Sequence, residues 1–154
     1  MYEYGCEVDR VVDGDTIDVT LDLGFDILFK SRVRLYGIDT PESRTRNLDE
    51  KARGKLAAKF LQDAINTAEQ VVIRTELKDS RGKFGRILGE LWVHCGEEGH
   101  EYEGWTNLNQ WMCEHGHAVG YWGQNKDDVK GEHWKNREYL AETGEQELLQ
   151  WDDN

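Results

Sequence analysis

Apolar and polar residues alternate along the first third of the chain. Between Thr16 and Leu23 every second residue is apolar, with aspartate or threonine between them. This period of two predicts a half-buried β-strand. Gly5–Val12 precedes that strand across the turn-type sequence Asp13-Gly14-Asp15, and Leu28–Ile38 follows it as a third strand. The pattern therefore predicts three consecutive strands near the start of the chain.

The period changes from two to four after the third strand. Apolar residues at this spacing predict an amphipathic helix. They are Leu48, Ala52, Leu56, Phe60, Ala64 and Ala68, with Leu61 and Ile65 widening the stripe. Strands at Val71–Leu77 and Phe84–His94 and helices at Thr106–His115 and Asp127–Ala141 follow, with Thr106 or Asn107 as the N-cap of the first of these helices. This order predicts an α+β fold, a small barrel with helices added.

The length and charge of the chain limit its class less than they first suggest. A chain of 154 residues predicts a single domain spanning residues 1–154, because one core usually serves about 100–200 residues. The net charge of −12 argues against nucleic acid, since phosphate-binding surfaces are usually basic. Residues 30–86, however, hold 14 basic and 8 acidic residues. The overall charge therefore does not exclude a polyanionic substrate.

Few signals address the location of the protein. No apolar run approaches the roughly 20 residues of a membrane span, and the first ten residues do not have the pattern of a signal peptide. The three cysteines, Cys6, Cys95 and Cys113, are too few and odd in number for a disulfide framework. We expect a cytoplasmic protein, or a secreted one if a leader has been removed.

Three segments combine residues that suit phosphodiester chemistry. They are Asp13-Gly14-Asp15-Thr16, Arg34-Leu35-Tyr36-Gly37-Ile38-Asp39-Thr40-Pro41-Glu42 and Lys83-Phe84-Gly85-Arg86. Carboxylates such as Asp15 and Asp39 can bind a hard cation, and Glu42 can accept a proton from water. The planar guanidinium groups of Arg34 and Arg86 match two phosphate oxygens at once. The three segments together therefore predict a site for cleaving phosphodiesters.

Other interpretations of these and neighbouring residues remain open. Asp-Gly-Asp alone is typical of a polar turn, and Thr-Pro-Glu alone is typical of a helix entry. Cys113, His115 and His117 lie close enough in sequence for zinc, but structural zinc sites usually include a Cys-x-x-Cys pair, so we expect core and loop residues. A basic set after Glu42 suits either a solvated face or contact with a phosphate backbone; it comprises Arg44, Arg46, Lys51, Arg53, Lys55 and Lys59.

The three segments resemble the motifs of the staphylococcal-nuclease (thermonuclease) family in the strings VVDGDT, RLYGIDTPE and KFGR. The stretch NLNQWMCEHGHAV is similar to a further helix and return of that family, and the likeness covers roughly Cys6–Trp151. The resemblance implies a small five-stranded OB-fold β-barrel with three α-helices. Phe84 stands where many members have a tyrosine that contacts a terminal phosphate, so that contact is not implied here.

The resemblance also implies a role for each matching residue. It assigns calcium binding to Asp15, Asp39 and the backbone carbonyl of Thr40, and the ordering of metal-bound water to Asp13. It assigns general-base catalysis to Glu42 and binding of the scissile phosphate to Arg34 and Arg86. Lys83 and Tyr121 are candidate substrate contacts. Tyr121 suits either stacking on a base or packing at the barrel edge.

The function implied is that of a calcium-dependent, sugar-nonspecific nuclease. Such an enzyme hydrolyses single- or double-stranded DNA and RNA by in-line attack of water, the 5′-oxygen leaves, and the products carry 3′-phosphates. We expect it to act as a monomer. Two alternatives remain: a non-catalytic nucleic-acid or peptide-binding module that keeps the barrel, and a phosphodiesterase for nucleotides rather than polymers.

Overall fold

The computed structural model describes residues 2–75, 87–95 and 104–144. Its strands are β1 (Tyr2–Asp13), β2 (Thr16–Asp22), β3 (Leu28–Leu35), β4 (Ile38–Asp39), β5 (Gln70–Thr75), β6 (Ile87–Cys95), β7 (Gly104–Asn107) and β8 (Val119–Gly120). Its helices are α1 (Leu48–Asn66), α2 (Leu108–Glu114) and α3 (Lys126–Glu142). None of these helices is long and apolar enough to cross a bilayer.

Five strands form a closed barrel. β1, β2 and β3 are an antiparallel meander, and β1–β5 and β5–β6 are also antiparallel. A short parallel pairing of β3 with β6 closes the barrel, with Val33 opposite Ile87 and Leu35 opposite Gly89. The alternation in β2 places Ile17 in the core, fully buried. The predicted α+β fold, a five-stranded OB-fold barrel with three helices, is confirmed.

The predicted third strand, Leu28–Ile38, is wrong at its end. β3 stops at Leu35, and the chain turns at Tyr36-Gly37, where Gly37 has φ +80°. This left-handed conformation favours glycine and breaks the strand. After the turn, β4 pairs with β8, with Asp39 opposite Val119. The turn therefore takes Asp39 off the barrel strand and places it beside the segment that leads to α3.

The buried face of α1 is rotated from the predicted stripe. Leu48 is 60% exposed, whereas Ala57, which lies outside the predicted stripe, is fully buried together with Leu61 of the stripe. Small residues at the centre of this face permit close packing, since a Cβ at Gly54 would lie 2.7 Å from the carbonyl carbon of Glu42. The predicted stripe was based on the spacing of hydrophobic residues alone. The approach of backbone to the helix selects glycine and alanine instead.

The start of α2 also differs from the prediction at one position. Thr106 belongs to β7, and Asn107 is the N-cap, whose side chain accepts a hydrogen bond from the backbone N–H of Asn109 at 2.9 Å. Asn109 is itself buried, and its Nδ2 donates to the carbonyl oxygen of Tyr36 at 2.9 Å. This bond fixes the turn that precedes β4 to the base of α2.

Two of the residues considered for zinc, His115 and His117, lie in an aromatic cluster. Phe60 stacks on Trp111 with 4.1 Å between ring centroids, and the ring of His117 lies 4.1 Å from that of Phe60. Burial, together with the nearby His115, lowers the pKa of His117 to about 4. Aromatic packing, as expected for core residues, therefore accounts for the position of His117.

Candidate active site

Asp15 is held rigidly at the turn between β1 and β2. Its carboxylate is buried and accepts hydrogen bonds from the Thr16 hydroxyl at 2.9 Å and from the backbone N–H of Thr40 at 3.1 Å. Its backbone carbonyl accepts from the N–H of Leu35 at 2.8 Å. The DGDT turn, the end of β3 and the segment after β4 are thereby joined through one residue.

Arg34 lies between the two aspartates that the sequence predicted as metal ligands. Its Nη1 is 3.4 Å from Oδ2 of Asp15, and its Nη2 is 3.7 Å from Oδ1 of Asp39. Nη1 also donates to the carbonyl oxygen of Leu35 at 3.0 Å, which fixes the guanidinium at the end of β3. Residues from three separate motif positions therefore converge at one end of the barrel.

Glu42 extends from the loop that follows β4. Its backbone N–H lies 3.5 Å from Oε1 of Glu50, at the limit of a hydrogen bond. Partial desolvation raises the pKa of the Glu42 carboxyl above its ordinary value, and the charges of Asp15, Asp13, Asp39 and Glu50 raise it further. Glu42 is therefore in the negative field of the aspartates, as a base beside a cation site would be.

Asp13 has a structural contact that the sequence did not predict. Its Oδ1 accepts a hydrogen bond from the hydroxyl of Ser43, the residue after Glu42. The end of β1 is thereby tied to the loop that carries Glu42. This contact gives Asp13 a role in placing Glu42, and its predicted role in ordering metal-bound water stays a prediction.

The site opens into a groove of about 1120 Å³. Residues from the site, the Tyr36 turn, β6, the segment after β8 and α3 line it; they include Arg34, Tyr36, Asp39, Glu42, Leu88, Tyr121, Trp122, Lys126, Lys130 and His133. Tyr121 is 46% exposed and Trp122 is 75% exposed, so both rings are accessible from solvent. Tyr121 therefore lies in the groove, where a base could stack on it.

Sequence reasoning missed the contribution of α3 to this groove. Lys126 and Lys130 lie four residues apart and so share one helix face, and both line the groove. His133 also lines it, and its Nε2 lies 2.7 Å from Oδ2 of Asp39. The four-residue spacing of the two lysines was a usable signal. Nothing local to His133 indicated a partner 94 positions away.

Two predicted site residues cannot be placed. Lys83 and Arg86 lie outside the described residues. For one residue of the basic set after Glu42, the interpretation as part of a solvated face is wrong. Arg53 is buried, and its Nε lies 3.4 Å from Oδ2 of Asp49. The ion pair explains this burial, because a buried charge needs a partner. The roles of Lys83 and Arg86 stay predictions.

The donor chemistry fits a hard divalent cation. Asp15 and Asp39 both lie near the guanidinium of Arg34. Three further carboxylates, those of Asp13, Glu42 and Glu50, add negative charge at the site or line the groove. Oxygen donors with excess negative charge are the set that calcium prefers. Across residues 2–75, 87–95 and 104–144, no three His, Cys, Asp or Glu side chains form a metal cluster. The predicted ligand set has only two such side chains, Asp15 and Asp39, and its third ligand is a backbone carbonyl.

The fold and the site define an OB-fold protein with a carboxylate-lined, arginine-bearing groove at one end of its barrel. The sequence model of the family described as "Staphylococcal nuclease homologue" matches residues 32–151. The chain belongs to that family, as its motifs indicated.

Three relatives illustrate the range of similarity. A micrococcal nuclease of Shigella flexneri is 32% identical over 149 residues, which cover 96% of this chain and 73% of the relative. A thermonuclease of Staphylococcus intermedius is 37% identical over 86 residues, 56% of this chain and 47% of the relative. The endonuclease YhcR of Bacillus subtilis is 30% identical over 126 residues, 77% of this chain but 9% of the relative. The chain thus spans about half or less of the latter two.

Proposed function

We propose that this chain is a calcium-dependent nuclease that hydrolyses the phosphodiester bonds of DNA and RNA. The observation that carries the proposal is the convergence of Asp15, Arg34 and Asp39, with Glu42 in the same groove. Nuclease-named relatives support the same class of reaction. A non-catalytic binding module would need none of these charged groups to face each other.

The cation would be held by the carboxylates of Asp15 and Asp39 and by the backbone carbonyl of Thr40. When bound, it would supply positive charge that offsets the charge gained on the phosphoryl oxygens. The buried hydrogen bonds to Asp15 keep one ligand in place before the cation arrives. Prearranged ligands of this kind lose little conformational freedom on binding.

The chain's own residues carry the transfer. Glu42 accepts a proton from a water molecule while the water oxygen forms a bond to phosphorus. The bond from phosphorus to the 5′-oxygen breaks. The leaving oxygen takes a proton from solvent, and the phosphate stays on the 3′-oxygen of the other product. Arg34 donates two N–H groups to the phosphate, and Arg86 is proposed as the second guanidinium.

The groove supports a polymeric substrate rather than a single nucleotide. The exposed rings of Tyr121 and Trp122 suit stacking on bases, which tolerates any sequence. Lys126 and Lys130 add positive charge to the same groove, suited to the flanking phosphates. Lys83 is proposed as a further phosphate contact.

Removal of divalent cations should abolish cleavage. The protein is mixed with end-labelled single-stranded DNA or RNA in calcium, in excess EDTA, and in EDTA followed by excess calcium. We expect cleavage, loss of cleavage and recovery, because without the cation the carboxylates would repel the negative charge of the transition state. The new ends should be 3′-phosphates, which block polymerase extension until a phosphatase removes them.

An Asp39→Asn protein, purified in parallel, controls for contaminating nuclease. Cleavage that survives EDTA, or that persists unchanged with Asp39→Asn, would contradict the proposal. Tight binding of the strand without any cleavage would instead support the non-catalytic module.

Gly54→Ala should lower turnover although it lies outside the groove. The new Cβ would meet the carbonyl oxygens of Pro41 and Glu42, each at 2.7 Å, so the Glu42 loop must move away from α1. A misplacement of about 1 Å costs roughly 10²-fold in rate. Initial rates at saturating substrate test this.

Gly131→Ala is the matched control for the glycine substitution. Gly131 also lies in a helix, but a Cβ there would have nothing within 4 Å. The control should keep full turnover and gain up to about 1 kcal/mol of stability from helix propensity. Equal turnover in both variants would mean that the Gly54 contact does not position Glu42.

A further inference from the structure

A histidine of α3 contacts one oxygen of a predicted cation ligand. Nε2 of His133 lies 2.7 Å from Oδ2 of Asp39, and the His133 side chain is 13% exposed. The other oxygen, Oδ1, faces Nη2 of Arg34 at 3.7 Å. The two oxygens of Asp39 therefore have different partners, and the closer contact is to His133.

The surroundings of the imidazole favour one tautomer. Nδ1 of His133 is buried and has no hydrogen-bond partner within the described part of the chain. A buried N–H without an acceptor is costly, whereas a nitrogen lone pair in that place loses less. The hydrogen is then on Nε2, and His133 donates it to the carboxylate of Asp39.

His133 is fixed in place by a buried ion network between α1 and α3. Oδ2 of Asp49 lies 2.8 Å from Nε of Arg137 and 3.4 Å from Nε of Arg53. Nη1 of Arg53 lies 3.5 Å from the carbonyl oxygen of His133. The side chains of Asp49 and Arg53 are more than nine-tenths buried, so this network anchors α3 beside the site.

A second set of contacts ties α3 to the backbone of Asp39. Nδ2 of Asn136 donates to the carbonyl oxygen of Ala118 at 3.0 Å. The next residue, Val119, is paired with Asp39 between β8 and β4. The segment of β8 pairs with the Asp39 backbone, and α3 contacts the Asp39 side chain. Because these two elements are joined to each other, the backbone and the side chain of Asp39 are held together in one orientation.

We infer that His133 is a positioning residue that orients the Asp39 carboxylate for cation binding. The inference rests on the proposed function, because it assigns the hydrogen bond to the same cation site. A carboxylate held by a donor on one oxygen presents the other in a fixed direction, and in Asp39 that other oxygen, Oδ1, is the one that faces Arg34. Loss of such a supporting partner typically costs 10–100-fold in metal affinity or activity.

Calcium titration of His133 variants tests the inference. Calorimetry should show calcium binding 10–100-fold weaker in His133→Ala than in the wild type. His133→Phe should show the same loss, because it keeps a ring without an N–H donor. His133→Gln should stay within a few-fold of the wild type, because its amide N–H can donate to Asp39. The calcium concentration for half-maximal cleavage should shift in the same order.

Lys135→Ala is the control on the same helix, since Lys135 is exposed and outside the groove. Circular dichroism establishes that each variant is folded, and His133→Phe replaces His133→Ala if the latter is not. Wild-type calcium affinity in His133→Ala and His133→Phe would overturn this inference but not the proposed function. Equal weakening in His133→Gln would also overturn it, because the loss would then follow from packing. A wild-type protein that binds no calcium would overturn the proposed function as well.

Discussion

Glu42→Gln is expected to lower turnover by about 10²–10⁴-fold, the usual contribution of a positioned proton-transfer group. Glutamine keeps the size and polarity of the side chain, but its amide cannot accept a proton from water. Partial desolvation raises the pKa of the Glu42 carboxyl, and the charges of Asp15 and Asp39, the proposed cation ligands, raise it further. Rates at saturating substrate and calcium measure the loss directly.

Cation binding should survive the Glu42 substitution. Glu42 is not among the proposed ligands, so calcium affinity should stay within a few-fold of the wild type. Glu142→Gln, at the exposed end of α3, makes the same chemical change away from the groove and should leave the rate unchanged. Turnover within about threefold of the wild type in Glu42→Gln would remove it as the base and leave proton transfer to water or another group.

The barrel was predictable because burial imposes a period of two on its strands. The alternation through β2 gave the inward face, and Ile17, Val19 and Leu21 are all at most 2% exposed. The helix α1 was predictable in extent and only partly in orientation. Its buried face includes Gly54 and Ala57, which are selected by close packing rather than by hydrophobicity.

The candidate site was predictable where its motifs are local. Asp15, Arg34, Asp39 and Glu42 were found because short strings carry them, and the structure brings all four to one end of the barrel. The β4–β8 pairing is two residues long on each side, too short to leave a periodic signal. His133 was missed for a related reason, because a hydrogen bond across the fold leaves no pattern in either segment.

Charge counts were informative about segments and misleading about single residues. The net charge of −12 argued against a nucleic-acid substrate, and the basic excess of residues 30–86 showed that this argument does not hold. Arg53, counted in that excess, is paired with buried Asp49, and Arg32 is paired with Asp18 at 2.8 Å. Such arginines add little to a phosphate-binding surface. Lys126 and Lys130, from the acidic end of the chain, do face the groove.

Arg34→Lys is expected to lower turnover by about 10²–10³-fold without weakening calcium binding. Lysine keeps the charge but not the planar pair of N–H donors that matches two phosphate oxygens. The guanidinium lies 3.4 Å from Asp15 and 3.7 Å from Asp39, so in the free protein it competes with a cation for both carboxylates. Arg34→Gln, which removes that competitor, should lose as much turnover and bind calcium at least as tightly as the wild type.

Arg32→Gln is the matched control for Arg34, because Arg32 lies two residues earlier on the same strand. Its guanidinium is paired with Asp18 through two contacts of 2.8 and 3.2 Å, outside the groove. This variant should cleave at the wild-type rate. If Arg34→Lys also does so, the phosphate is not held by the fork of Arg34. If calcium affinity falls in proportion to turnover in Arg34→Gln, Arg34 acts by assembling the carboxylates, because a group that only bound phosphate would leave the cation equilibrium untouched.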